Sequence, residues 1–419
     1  MRDLLLTLLV LGSVPFTFLQ PYIGLLVWSW LGYMNPHRLA YGFAYSFPFV
    51  FLISVVTILS TFFSKEKFKI PINGVTIVWF AFMVWMSISS VLAFNDAMYE
   101  FTRMIKIQMM IFITLLLFQD KNKIKLLVWV IVGSLGFYGV KGGVFTILTG
   151  GSYRVWGPPG SFIEGNNELA LALIMVLPLM FFLFKEAKNK YLKLFLLFCM
   201  LSMSAAILGS YSRGALLAFV MMSFFLWLKS NKKVVSMAIA VFILASAATL
   251  LPQKWFDRMN TIENYEEDGS ALGRINAWYF AFNLAKDNPF FGGGYGAFSS
   301  RLFLDYAPDP DDFHDAHSIY FEVLGEQGFV GLFLFVLLWV LSWRLGTRVL
   351  KYAKGKEEWM WAYWLASMCQ VSLIGYATGG AFLGLAYFDL PYHIMAILVV
   401  VHVVVMKEKE KEEGEKKRR

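Results

Sequence analysis

Three residues in a largely apolar chain combine the types that group transfer would need: Arg213, Arg274 and His317. His317 opens the apolar run HSIYFEVLGEQGFVGLFLFVLLWVLSW. An imidazole with an ordinary pKa of about 6.5 can take a proton from a hydroxyl nucleophile at neutral pH. A helix-capping or interfacial histidine fits the same spacing. Arg213 lies in GSYSRGALLAF, where another apolar run begins. A guanidinium there can grip a phosphate with two hydrogen bonds while the helix N-terminus adds a favourable dipole; the alternative is an arginine anchored at the membrane interface. Arg274 falls in the first turn of a helix that Ser270 can cap, with Ile275, Trp278, Tyr279, Phe282 and Ala285 at helical spacing and an end near Asn288-Pro289. Its charge could join Arg213 over an anionic headgroup or pair with Glu266, Glu267 or Asp268.

Other cations also need a partner or a cavity, because a charge within or at the edge of a span costs about 2.5–3.5 kcal/mol on insertion scales. Arg103 and Lys106 are three residues apart and share a helix face. Snorkelling toward headgroups is the alternative for Arg103. For Lys141, followed by Gly142 and Gly143 deep in a run, snorkelling is harder. The cluster FFGGGYGAFSSRLF has neither a Walker lysine nor a preceding strand, which favours tight turn packing over a nucleotide loop. The run DYAPDPDDFHDAH offers Asp311, Asp312, His314, Asp315 and His317 without a recognised metal-ligand spacing, and reads as a solvated acidic loop. Neither a metal nor a cofactor is expected.

These residues must be positioned by a membrane scaffold. Of 419 residues 58% are hydrophobic and 18% aromatic, mean hydropathy is +0.59, and apolar runs repeatedly approach twenty residues. The runs are continuous, not alternating, so the expectation is an all-α polytopic protein of about twelve spans and not a barrel. After a first segment that Pro15 and Pro21 interrupt, read as a broken or re-entrant helix, the runs fall near 44–63, 72–92, 101–118, 124–148, 167–184, 192–208, 213–228, 234–251, 318–343, 357–376 and 388–406. Every second connection is lysine-rich, from SKEKFK to the tail KEKEKEEGEKKRR. The positive-inside rule places these, with both termini, in the cytoplasm. This topology accounts for the net charge of +8 without a nucleic-acid partner.

The opposite connections then face outward, including the polar interval 252–317, and the cations among them stand out: Arg38, Arg154, Lys254, Arg258, Lys286 and Arg301 besides those above. The expected organisation is a transmembrane bundle over 1–251, an outward catalytic loop over 252–317 with a surface-lying amphipathic helix, further spans over 318–406 and a charged tail over 407–419. Cys199 and Cys369 lie inside apolar runs and read as core residues.

The order SRG (Ser212–Gly214), GRINAW, GGGYGAF and HSIYFEVLGEQGFVGL resembles the O-antigen ligase and polymerase superfamily of bacterial envelope glycosyltransferases. MRDLL, YMNPHRLAYGFAY and VWGPPGSFIEGNNELALAL are similar to its subgroup of O-glycosylation ligases associated with exosortase systems. Where the family often has Asn after its histidine, Ser318 stands here. The resemblance implies an inner-membrane enzyme with a periplasmic site, a donor glycan on undecaprenyl pyrophosphate, and an acceptor hydroxyl on lipid A-core, another lipid-linked glycan or a protein. It implies pyrophosphate binding by Arg213 and Arg274, with Arg103, Lys106 or Lys141 as helpers, and His317 as the essential histidine. On this view transfer is direct, with inversion and without a metal; a lipid-linked glycan transporter is the more distant alternative.

Overall fold

The computed structural model describes every residue except 231, 235–236, 239–240, 242–244, 246–248, 250, 261–268 and 419. The expected span at 234–251, the Ser270 cap and the Glu266, Glu267 and Asp268 partners of Arg274 therefore lie wholly or partly outside the described residues. Among the described residues all regular structure is helical. The order is α1 (Arg2–Leu19), α2 (Pro21–Met34), α3 (Phe49–Phe63), α4 (Gly74–Val91), α5 (Met98–Leu117), α6 (Lys121–Leu148), α7 (Asn166–Glu186), α8 (Lys190–Leu208) and α9 (Arg213–Lys229). It continues with α10 (Gln253–Asn260), α11 (Gly269–Asp287), α12 (Ser300–Tyr306), α13 (Ile319–Ala353), α14 (Met360–Gly380) and α15 (Asp389–Arg418). By length and composition seven of the described helices can cross a membrane: α1, α4, α6, α7, α8, α13 and α15. Several other expected spans form shorter or less apolar helices.

Local chemistry sets the helix starts. Asn73 and Thr76 form a capping box at α4, the Asp120 carboxylate accepts from the first amides of α6, and Asn189 does the same at α8. Inside the bundle α7 and α15 are buried over most of their length, while α1 is largely exposed. Gly143 lets α6 approach the backbone of α8 at Ser202, where a Cβ would collide with the Ser202 carbonyl. Cys199 and Cys369 are both buried free thiols.

The lysine-rich connections gather at one face. The Gln119 amide donates to the Lys69 carbonyl at 2.7 Å, Lys407 to the Gln119 side chain at 2.9 Å, and Lys123 and Lys356 pair with Glu66 and Glu412 at 3.8 and 3.7 Å. The first segment takes the re-entrant of the two forms expected. Gln20 is extended and Pro21 opens α2, so α1 and α2 form a helical hairpin whose turn is near the lysine-rich face, with Tyr22 under the Lys123 ammonium at 4.8 Å. The hairpin's open end returns to the other face. There Asp3 accepts from the amides of Gly42 and Ala44 at 3.0 and 3.1 Å, and Arg2 donates to the Leu39 carbonyl at 3.1 Å. The two termini thus stand at opposite faces of the bundle.

The described residues of the interval 252–317 form α10, α11, α12 and loops. In α11 the buried side is Ala277, Phe280, Ala281 and Leu284, packed against α12 and α13, while Tyr279 and Phe282 are 57% and 46% exposed. The stripe expected to be its apolar face is therefore divided between its inner and outer sides, because α11 is apolar around its circumference and is held by neighbouring helices. Trp278 stacks on Phe321 of α13, 5.0 Å between centroids.

Candidate active site

On the face opposite the lysines lies a cleft of roughly 570 Å³, counting the space at its open mouth. Arg154, Arg213, Arg258 and Arg274 all line it, together with Asn166 and Asn167 at the start of α7 and Ser212 to Ala215 at the start of α9. Arg213 and Arg274, far apart in the chain, are thus brought to one place. Two helix N-termini meet there as well, each carrying about half a positive charge from the aligned peptide dipoles. Four guanidiniums and two such termini make a site for a densely charged anion.

The turn before α9 is held from several sides. Tyr211 is left-handed (φ 59°), its hydroxyl donates to the Gly151 carbonyl at 2.5 Å, and Asn166 donates to the Ser210 carbonyl at 2.7 Å. Ser212 then caps α9 by accepting from the Ala215 amide at 3.1 Å, which fixes the backbone on which Arg213 is the first helical residue. Arg258 is delivered by α10, which is anchored by the Trp255 indole donating to the Leu208 carbonyl at 2.9 Å. Arg274 lies in the first turns of α11, beside Gly273, whose open Cα face accommodates the His314 ring.

His317 stands next to this cleft. Leu383 is part of the cleft wall, and a Cβ added at the next residue, Gly384, would lie 3.6 Å from the His317 amide nitrogen. The N-cap of α13 is Ser318, so His317 precedes the cap and does not cap the helix itself. Its backbone is left-handed (φ 41°), and the Ala316 carbonyl before it accepts from the Trp278 indole at 2.9 Å. Burial first, then the charge of Arg274, hold its imidazole below the ordinary histidine value; His314 adds to this and Asp315 opposes it. The neutral form, able to accept a proton, therefore dominates at neutral pH.

The remaining candidates sit elsewhere. Arg103 lies over the Phe162 ring at 4.1 Å and 3.8 Å from Glu100; Lys106 faces Phe51 at 5.8 Å; neither is among the cleft-lining residues. Lys141 is exposed on the outside of α6, with Gly142 and Gly143 turned inward. The glycine cluster is used in packing: the Gly293 and Gly294 amides donate to the carbonyls of Gly325 and Glu326, at 2.8 and 2.9 Å, in α13. In the acidic run Asp312 and His314 pair at 3.1 Å, and among the described residues no three His, Cys, Asp or Glu side chains converge as a metal site. In the sequence Arg154 and Arg258 read only as cations on the lysine-poor face. Their convergence, and that of Asn166 and Asn167, depends on tertiary packing, and the signal available was the scarcity of positive charge on that face.

A family model described as O-antigen ligase matches residues 195–336, a stretch that contains Arg213, Arg258, Arg274 and His317. That stretch is an O-antigen ligase domain, and it supports a place for the chain in the O-antigen ligase superfamily. The match supports an O-antigen ligase or polymerase type of function, a glycosyltransferase-type enzyme, and the context of a lipid-linked glycan in a membrane. A second model, of a family of unknown function, matches residues 1–188. A search of curated proteins found no match to the chain. The cleft is thus composite: the O-antigen ligase segment supplies Arg213, Arg258 and Arg274, and the N-terminal segment supplies Arg154, Asn166 and Asn167.

Proposed function

We propose that this member of the O-antigen ligase superfamily transfers a preassembled glycan from undecaprenyl pyrophosphate to a lipid A-core hydroxyl on the periplasmic face of the inner membrane. The observation that carries the proposal is the meeting of Arg213 and Arg274 between two helix N-termini, with His317 beside the same cleft. The donor's anomeric carbon is already activated by its leaving group. Arg213 and Arg274, with Arg154 and Arg258, hold the pyrophosphate and offset the negative charge that develops as the bond from the anomeric carbon to the phosphate oxygen breaks. His317 takes the proton of the acceptor hydroxyl as its oxygen attacks the opposite face of that carbon, so the configuration inverts. Guanidinium charge does the work a metal ion would otherwise do, and the reaction is expected to proceed without one. Arg103, Lys106 and Lys141 do not line the cleft, and on this reading they are assigned no role in the step.

The test combines purified protein, an undecaprenyl-pyrophosphate glycan and lipid A-core, with a second lipid-linked glycan and a Ser/Thr/Tyr-containing peptide as rival acceptors. Release of undecaprenyl pyrophosphate with a mass-shifted lipid A-core, persisting after exhaustive chelation, is the expected result. A shifted glycan or peptide would instead make the chain a polymerase or a protein glycosyltransferase, and donor binding without cleavage would remove the enzymatic reading in favour of a carrier. His317→Ala should lower turnover by about 10²–10⁴-fold while leaving donor affinity largely intact.

A further inference from the structure

A second cavity of roughly 690 Å³, again counting the space at its open mouth, lies on the same face, lined by His37, Arg38, Tyr45, Ser46, Phe47 and the start of α3. Its chemistry differs from that of the arginine cleft. It holds one guanidinium, stacked 4.8 Å over the Tyr45 ring, and one imidazole that burial and Arg38 push down to about 4, so that His37 is neutral at neutral pH. His37 Nδ1 and Arg38 Nε are buried and have no hydrogen-bond partner among the described residues. Tyr45 and Phe47 are 42% and 43% exposed, leaving aromatic surface open at the rim. Planar hydrogen-bonding groups beside open aromatic rings suit a ligand with many hydroxyls and apolar C–H faces, carrying at most a little negative charge.

Contacts connect this cavity to His317. Arg38 lies against Gly160, where an added Cβ would stand 3.2 Å from its guanidinium carbon. Two residues on, Phe162 packs against Phe388, 6.2 Å between centroids, at the end of the loop whose Gly384 abuts the His317 backbone. The loop from Arg154 to Asn166 therefore borders the arginine cleft at its ends and the second cavity at Gly160. We infer that the His37–Arg38 cavity is a saccharide subsite that holds a sugar of the acceptor, one ring on Tyr45 and Phe47 and its hydroxyls on His37 and Arg38. This rests on the transferase reading above: one cavity takes the charged leaving group, the other takes the sugar that receives the glycan.

The test uses the full chain in nanodiscs and three probes: farnesyl pyrophosphate, deacylated lipid A-core oligosaccharide, and a free repeat-unit oligosaccharide. Arg38→Gln and Tyr45→Ala should each weaken oligosaccharide binding about tenfold, with farnesyl pyrophosphate affinity unchanged, which also shows that the variants fold. Arg213→Gln should do the reverse. Loss confined to the repeat-unit probe supports the subsite while replacing lipid A-core as the acceptor. Unchanged oligosaccharide affinity in both cavity variants overturns the subsite. So does wild-type protein that binds neither oligosaccharide, or Arg38-dependent binding only of phosphatidylglycerol added to the nanodisc; in both cases farnesyl pyrophosphate binding still reports on the cleft.

Discussion

At the scale of single residues, His317 carries the sharpest expectation, because the groups around it act in opposite directions. Burial and Arg274 keep the imidazole neutral to lower pH than usual, whereas Asp315 favours its protonated form. If His317 is the base, turnover is full where the ring is neutral and falls as pH drops through its lowered pKa. Arg274→Gln removes a cation that depresses this pKa, so the acid limb of kcat should move to higher pH. Asp315→Asn removes a carboxylate that raises it, and the limb should move to lower pH. Profiles measured at saturating donor check both; a limb that stays in place in both variants would mean that another group titrates. The sequence made His317, Arg213 and Arg274 legible because each is polar at the edge of an apolar run. It gave Lys141 the same standing for the same reason, although its side chain faces outward from α6. Which side of a helix a lone cation takes depends on its neighbours in space, here on α8 approaching Gly142 and Gly143.

At the scale of elements, α13 reads in the sequence as one uninterrupted apolar run, yet its backbone turns sharply at Gly328 (φ 68°, ψ −172°), a conformation open essentially to glycine alone. The break releases the Gln327 carbonyl, which accepts from the Trp85 indole at 3.0 Å, while the Phe329 amide donates to the Pro289 carbonyl at 2.9 Å. Thus the glycine cluster and α4 are docked against the kink, and the segment of α13 that follows His317 is held in place. Gly328→Ala should cost about 1–3 kcal/mol from backbone strain alone, and more because its Cβ would strike the Phe290 carbonyl. Gly296→Ala is the control: it too has positive φ (74°), but nothing stands within 4 Å of its Cβ. Thermal unfolding in detergent should show a larger fall for Gly328→Ala than for Gly296→Ala; equal falls would remove the collision. The start of α9 at Arg213 was legible because it is the edge of an apolar run, where Ser212 caps the helix through a local hydrogen bond. The kink was not, because its partners are far away in the chain.

For the whole molecule, lysine content separated the two faces, and the contacts among residues 65–69, 119–123, 352–361 and 407–412 join that face as the charge pattern implied. The first segment resisted the same reasoning because Arg2 is its only basic residue before Arg38, so charge could not distinguish a single broken crossing from a hairpin. The Asp3 contacts with Gly42 and Ala44 decide it for the hairpin. The N-terminus then shares the face of both cavities, and α1 becomes the outer wall beside the stretch that holds His37 and Arg38. Labelling with a membrane-impermeant maleimide measures this, since Cys199 and Cys369 are buried and should react little. A cysteine placed ahead of Met1 should label from the same side as Tyr41→Cys, whose native side chain is 89% exposed. Lys67→Cys and a cysteine added after the tail should label only from the other side. An N-terminal cysteine that reacts together with Lys67→Cys would undo the hairpin, and with it the position of α1 beside the second cavity.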